Sequence, residues 1–360
     1  MATKAPVPPT SVNRVLKVNR KTPAALWNRR MLKKLSLALD ADPEADLLSI
    51  LPNDYSKSLA ELRKGTSLRH DTRSLLQESD TAIIISTLSD DVEKLFTRGN
   101  NLSLAVLELL GQSEVLFRYP HGFSTMVLRV SEAIAVKIVR DVDNSIEYTS
   151  IQYLWDQKAS VPAPKPHGLI KIGSFYLMFM TFIADLDLEK AWSQLEGHQK
   201  WDISSQLDVI LSDLRSLPFP KYQSLGGVKG EGCKDPIMTP KDFEDFIFSH
   251  PSAGSSVYLT FLRSFCLSDQ PVSDCVFTHG DIRPANIKVA QSRDGSWKVL
   301  GIIDWEYSGF YLTYWESLKV TNNLSIIEGS DWYLYLPKCV SPLQFPTGWL
   351  LDRVWDPHVA

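Results

Sequence analysis

The sequence predicts an α+β fold in two lobes: a small antiparallel β-sheet N-lobe and a larger, mainly helical C-lobe, behind an N-terminal extension. Three observations carry that prediction. Between residues 115 and 180, short β-branched and aromatic runs alternate with turn-like stretches, the pattern of strands. After Ala184 the period changes: Ile203, Leu207, Ile210, Leu211 and Leu214 fall at i, i+4, i+7, i+8 and i+11, one stripe of an amphipathic helix. Ahead of both, residues 1–39 carry nine basic side chains and no acidic one, within a chain whose net charge is −4. Such a leader suits a targeting segment, an anionic partner or a solvated tail.

The elements follow in order. Residues 1–12, rich in Pro, Ala and Thr, read as unstructured. A mostly helical region runs on to residue 111, with apolar patches at Leu47–Leu51, Leu59–Leu62 and Val92–Phe96 and a break at Gly99-Asn100-Asn101. Val115–Tyr119, Met126–Val130 and Ala133–Val139 read as a three-stranded antiparallel meander. Ser145–Trp155 reads as a helix burying Ile146, Ile151 and Leu154, and Pro162, Pro164 and Pro166 end it. Leu169–Ile172 and Phe175–Met180 are two further strands broken at Gly173. Beyond the 203–214 stripe come a long Pro/Gly-rich loop over 217–240 and two helices, Phe243–Phe248 and Val257–Phe265. The expected division is therefore 1–111, 112–181 and 182–360.

Composition excludes several classes. With 44% hydrophobic and 22% charged residues, the chain has enough apolar material for a full core, so disorder throughout is excluded. No self-similar period marks a repeat protein. The longest nearly apolar run, Phe175–Ala184, is too short to span a bilayer, so no membrane partner is expected. Cys233, Cys266, Cys275 and Cys339 lack metal or dithiol spacing and read as reduced thiols. Apart from Trp27 the leader has no interleaved aromatic on which a base could stack, so no nucleic-acid partner is expected. Pro6, Pro8, Pro9 and Pro23 oppose the amphipathic helix of a mitochondrial presequence, which leaves the cytoplasm as the expected location.

The sharpest chemical signal is Phe277-Thr-His-Gly-Asp-Ile-Arg-Pro-Ala-Asn-Ile-Lys-Val289, which contains H-x-D-x-x-x-x-N as His279, Asp281 and Asn286. A second segment, Lys298-Val-Leu-Gly-Ile-Ile-Asp-Trp-Glu306, places Asp304 after an apolar strand. Taken singly, Asp281 reads as a turn residue and Asn286 as a turn cap. Together with Pro284 and Asp304 they form the parts phosphoryl transfer needs: a carboxylate to align and deprotonate an acceptor hydroxyl, and oxygen ligands for Mg²⁺. Asp281 suits the base role; Asn286 and Asp304 suit the metal. His279 reads as a hydrogen-bonding brace of its loop.

The two segments, His279–Asn286 and Ile302–Glu306, resemble the signature loops of the aminoglycoside phosphotransferase and choline kinase group of the protein-kinase-like superfamily, especially its fungal members. Gly280 after the His and Trp305-Glu306 after the Asp favour that group over protein kinases, as does the lack of an A-P-E segment. The resemblance covers residues 112–325 and implies the two-lobed protein-kinase-like fold, with ATP and Mg²⁺ bound between the lobes. It further implies that Lys137 contacts the α- and β-phosphates and that Glu147 orients Lys137, with Asp141, Asp143 and Asp156 as competing carboxylates. Met178-Phe-Met-Thr181 resembles the hinge, where backbone groups of Phe179 and Thr181 would meet the adenine. Asp187–Trp192 looks like the helix opening the C-lobe. Two departures stand out. The phosphate-covering stretch Tyr119–Thr125 has a single glycine, Gly122, and Leu312-Thr313 stands where fungal members carry Pro-Glu.

The function these readings imply is an ATP-dependent transfer of the γ-phosphate to a hydroxyl of a small molecule. Residues 185–360 hold 23 acidic and 15 basic side chains, which favours a cationic or amine-bearing acceptor. The alternative is a catalytically weak or inactive kinase-like scaffold, which the glycine-poor loop keeps open; a protein kinase is less supported. Nothing in the sequence sets an oligomeric state.

Overall fold

The computed structural model describes residues 22–63, 71–96, 101–118, 125–140, 146–157, 160–219, 225–226, 242, 256–266, 275–324 and 329–359. The chain divides into two compact units, Met1–Arg69 and His70–Ala360. In the first, the helix Pro23–Ala41 starts where Thr22 Oγ1 accepts the Ala25 N–H at 3.2 Å and Pro23 occupies the first turn. A second helix, Tyr55–Arg63, is tied to it by the Tyr55 hydroxyl, which donates to Asn28 Oδ1 at 2.7 Å.

The second unit opens with a six-stranded antiparallel sheet built from β1 (Ala82–Ser86), β2 (Glu114–Arg118), β3 (Thr125–Arg129), β4 (Ile134–Arg140), β5 (Pro166–Ile172) and β6 (Phe175–Thr181). Its order is β1-β5-β6-β4-β3-β2. The expected meander and the two later strands are all present, and the β5–β6 turn bends at Gly173, whose φ of +53° favours glycine. β4 lies inside the sheet and is covered on both faces. Ile134, Val136 and Ile138 pack with Leu177 and Phe179 of β6 and with Val106 and Leu110 of the helix Leu102–Gln112. Side chains alternate along a strand, so Lys137 points to the opposite face. There the helix Ile146–Gln157 packs Tyr148, Ile151 and Leu154 against Ala135 and Met178.

One expectation is corrected. The region before residue 112 is not a helical extension throughout: β1 is an edge strand of the sheet, and the unit boundary falls at residue 69. Ala82-Ile-Ile-Ile-Ser86 is a short apolar run, and periodicity alone cannot separate such a run from a helix segment.

The helical half contains the predicted stripe on the helix Gly197–Arg215, with Ile203, Leu207, Leu211 and Leu214 buried and Ile210 half-buried. Glu196 and Gln199 form a capping box at its start. The helix Ser256–Cys266 matches the expectation over 257–265, whereas Phe243–Phe248 lies outside the described residues. This half is less purely helical than its periodicity suggests. It holds β7 (Leu186–Asp187), β8 (Cys275–Thr278), β9 (Ile287–Gln291), β10 (Trp297–Ile302) and β11 (Gly309–Leu312), paired as β10-β9-β7 and β11-β8. These short ladders hold the two motif loops. Trp305, Trp332, Phe277 and Phe310 are fully buried beneath them. Among the described residues, no helix is long and apolar enough to cross a membrane.

Candidate active site

Four separate segments supply the site: β4, the helix Ile146–Gln157, and the two loops that follow β8 and β10. Lys137 Nζ lies 2.6 Å from Glu147 Oε2, 2.7 Å from Asp304 Oδ1 and 3.1 Å from Glu306 Oε2. Glu147 is therefore the carboxylate that pairs with Lys137. Asp156 lies at the far end of the same helix, and Asp141 and Asp143 lie outside the described residues. The other oxygen of Glu147, Oε1, accepts the Trp305 N–H at 3.3 Å, so one side chain ties the helix to both the lysine and the loop after β10.

Burial sets the electrostatics. Taking Lys137 out of water opposes its charge, but three neighbouring carboxylates outweigh that and hold its pKa well above the ordinary lysine value. Burial pushes Asp304 up, yet the Lys137 ammonium beside it leaves its carboxyl below the usual range. Glu147, Asp304 and Glu306 each offer an oxygen within 4.8 Å of the others, and the lysine sits among them. Asp304 has φ +70°, a left-handed conformation that Asp tolerates better than most side chains. This bend follows directly on the end of β10 at Ile302.

The loop after β8 is built just as tightly. Gly280 has φ +83°, and a Cβ there would lie 2.5 Å from the Tyr307 carbonyl oxygen, so only glycine fits. The His279 ring is fully buried with both nitrogens engaged: Nδ1 accepts the Asp281 N–H at 3.2 Å, and Nε2 donates to the Ile303 carbonyl at 3.1 Å. Burial pushes its pKa down to about 4, so it is a neutral brace. Asp281 Oδ2 accepts from Arg283 Nε at 2.8 Å and from Asn286 Nδ2 at 2.9 Å. Burial raises the Asp281 pKa, and Arg283 and Asn286 oppose that rise without cancelling it. Asn286 Nδ2 also donates to the Asp281 carbonyl, so the amide oxygen is what Asn286 can offer a cation. Besides the His279–Ile303 bond, the two loops meet at two further points. The Ile303 N–H donates to the Asn286 carbonyl at 2.9 Å, and the Arg283 guanidinium lies 3.9 Å from Asp304 Oδ2.

The structure thus brings Lys137, Glu147 and Asp304 into one cluster and links it to Asp281 and Asn286. Phe179 and Thr181 lie on β6, outside that cluster. Phe179 lies in the ladder between β4 and β5, its ring buried on the face away from Lys137. The Thr181 N–H already donates to the Lys165 carbonyl at 2.9 Å. The hinge resemblance falls on the last residues of β6, where β5 carries a bulge between Pro166 and Gly168 opposite Phe179 and Met180. Residues 119–124 of the expected phosphate-covering loop lie outside the described residues.

Three residues escaped the sequence reading. Glu306 and Arg283 each stand two positions after a motif aspartate, and only their contacts reveal a role. Glu316, fully buried in the short helix Trp315–Lys319, accepts the N–H groups of His279 at 2.7 Å and Gly280 at 3.0 Å through one oxygen. No local signal marks it, because its partners are backbone groups 36 and 37 residues away.

No family profile matches this chain, and no curated protein sequence matches it significantly. Among solved structures it is similar to the gentamicin–APH(2")-IIa complex, at 12% identity and a TM-score of 0.44 over 75% of this chain and 86% of that one. It is also similar to an aminoglycoside-3'-phosphotransferase of type VIII, at 16% identity and a TM-score of 0.42 over 68% and 87%. A third is the streptomycin–ATP–APH(2")-IIa ternary complex, at 15% identity and a TM-score of 0.40 over 59% and 73%.

Proposed function

We propose that this chain is an ATP-dependent phosphotransferase that moves the γ-phosphate of ATP to a hydroxyl of a small molecule. The observation that carries the reading is the shared placement of Lys137 between Glu147 and Asp304, with Arg283 spanning Asp304 and Asp281. Those side chains come from distant parts of the sequence and supply the parts the reaction requires: a fixed cation for phosphate, a base and hard oxygen donors.

Lys137 would hold the α- and β-phosphates, kept charged and in place by Glu147. The Asn286 amide oxygen and the Asp304 carboxylate are hard donors of the kind Mg²⁺ takes, and they are the residues that would hold it. Bound there, the ion would neutralise charge on the phosphates. Asp281 Oδ2 is committed to Arg283 and Asn286, which leaves Oδ1 to align the acceptor hydroxyl and take its proton. Its raised pKa favours that step, because a more basic carboxylate is a better proton acceptor. Positioning and electrostatic stabilisation would provide most of the acceleration.

The acidic balance of residues 185–360 favours a cationic acceptor such as an amine-bearing sugar, a choline-like molecule or an alkaloid. A second reading, a kinase-like scaffold without turnover, draws on the same lysine, whose ammonium already faces three carboxylates. ADP release from Mg-ATP, screened against hydroxylated metabolites with Asp281→Asn as control, separates the two. Turnover with at least one acceptor, lost in Asp281→Asn while nucleotide binding persists, is the expected outcome. Equal turnover in that variant sinks the assignment, and no ADP release with any acceptor leaves the scaffold.

A further inference from the structure

Behind the helix that carries Glu147 lies an open groove of about 900 Å³ that none of the phosphotransfer residues lines. Its walls are Ile85–Ser89 at and after the end of β1, residues 148–156 of the helix, and parts of β5 and β6. The volume falls in the range of ligand pockets, several hundred to about 1,000 Å³. We propose that this groove is a second ligand site, built for a compact aromatic amine.

The chemistry of the lining selects that class. Tyr148, Tyr153, Trp155 and Tyr176 supply aromatic surface on which a flat, apolar body can lie. Among the described residues, Asp156 is the only Asp, Glu, Lys or Arg in the lining. Its carboxylate accepts only long bonds from the Gln152 amide, at 3.3 and 3.4 Å, and among the described residues no cation pairs with it. The Lys165 ammonium lies 5.0 Å from the centroid of the Trp155 ring rather than in an ion pair with Asp156. His167 adds no charge to compete. Its ring nitrogens lie 2.9 Å from Ser89 Oγ and 3.1 Å from Thr181 Oγ1, and burial lowers its pKa. A ligand ammonium at Asp156 with its ring on the aromatic wall answers both features of the lining.

The groove also reaches the site. The Tyr148 hydroxyl donates to Ser86 Oγ at 2.9 Å, fastening the helix to β1, and the next residue back, Glu147, pairs with Lys137. A ligand wedged between β1 and this helix bears on the element that positions Glu147. Binding in the groove does not depend on the phosphotransfer reading; an effect on nucleotide affinity does.

The test uses calorimetric titration of the full chain with tryptamine, an indole bearing an ammonium, and with indole-3-propionate, its anionic counterpart. Tryptamine is expected to bind with one saturable site and indole-3-propionate not to bind. Asp156→Asn, a change at an exposed position, is expected to weaken tryptamine by about tenfold. Thr149→Trp, which fills the groove, is expected to abolish binding, and Mg-ATP should titrate normally in Asp156→Asn. Any of three results overturns the proposal: no saturable binding of tryptamine, equal affinity in wild type and Asp156→Asn, or displacement of tryptamine by Mg-ATP through simple competition. Tryptamine binding that obeys these expectations in a chain that binds no Mg-ATP leaves the groove site standing and sinks the phosphotransfer reading instead.

Discussion

The two halves of the site are built on opposite terms. On the sheet side, the side chains of Lys137 and Glu147 are 7% and 5% exposed and locked in an ion cluster that reaches Asp304. On the loop side, Asp281 and Arg283 are 20% and 43% exposed, and their geometry is inherited from a backbone pinned by His279, Gly280 and Glu316. A buried cation among carboxylates is a fixed fixture, because separating it from its partners leaves charge without solvent. A partly open carboxylate on a rigid loop can meet a changing acceptor without the loop moving. Under the proposed function, that contrast would give permanence to the phosphate side and adaptability to the acceptor side.

Variants can break or sharpen that contrast. The largest effect is expected from Asp281→Asn, a fall in turnover on the order of 10³-fold with ADP binding retained, since a positioned base contributes about 10²–10⁴-fold. The split between the two readouts is the point: if ADP binding falls as well, the halves are not separable. Next comes Glu147→Ala. Removing one partner of a buried pair costs about 3–5 kcal/mol, and with Asp304 and Glu306 still beside Lys137 the loss of unfolding free energy should sit near 3 kcal/mol. A loss below about 1 kcal/mol in a denaturant titration, the scale of a surface ion pair, would show that the cluster is not the fixed side of the site.

Acid tests the loop side through His279. Its folded pKa, about 4, lies below its unfolded value of 6.5, so between those limits the unfolded chain binds more protons than the folded one. Stability must then fall as pH drops from 6.5 toward 4, by up to about 3 kcal/mol. A chain lacking His279 should show a flatter decline over that window; an unchanged slope would remove the imidazole from the account. Glu316→Ala strands the two N–H groups of His279 and Gly280, each at a cost of about 1–3 kcal/mol. The expected signature is lower turnover with nucleotide affinity kept, because the hydrogen bonds of the Glu316 side chain go to the loop after β8. The smallest effect is a displacement in pH alone. Arg283 opposes the burial-driven rise of the Asp281 pKa, so Arg283→Ala should move the acid limb of the rate profile to higher pH. An acid limb that stays put or moves down would detach Arg283 from the base.

Much of this was legible in the residues, and what was not has physical causes. The motif spacing marked Asp281, Asn286 and Asp304, because loops that present oxygen ligands are local in sequence. Lys137 and Glu147 were marked through the resemblance, which fell on a β-branched strand and the helix that follows it. Glu306 and Arg283 stood inside the same motifs, but a contact between charged side chains has no sequence signature of its own. For Phe179 and Thr181 the residues alone do not say whether a backbone N–H is taken, because the neighbouring chain decides it, as Lys165 does for Thr181.

The sequence by itself determined the α+β order, the strands of the meander, the amphipathic helix of the C-terminal half and the residue types available for chemistry. Each of these depends on periods of two or 3.6 residues or on spacings of a few positions. The tertiary structure alone decided that β1 closes the edge of the sheet, that Glu147 meets Lys137, and that Glu316 holds the loop. Those pairings span from ten residues to more than eighty, and the distance between such partners is set by packing rather than by any local rule.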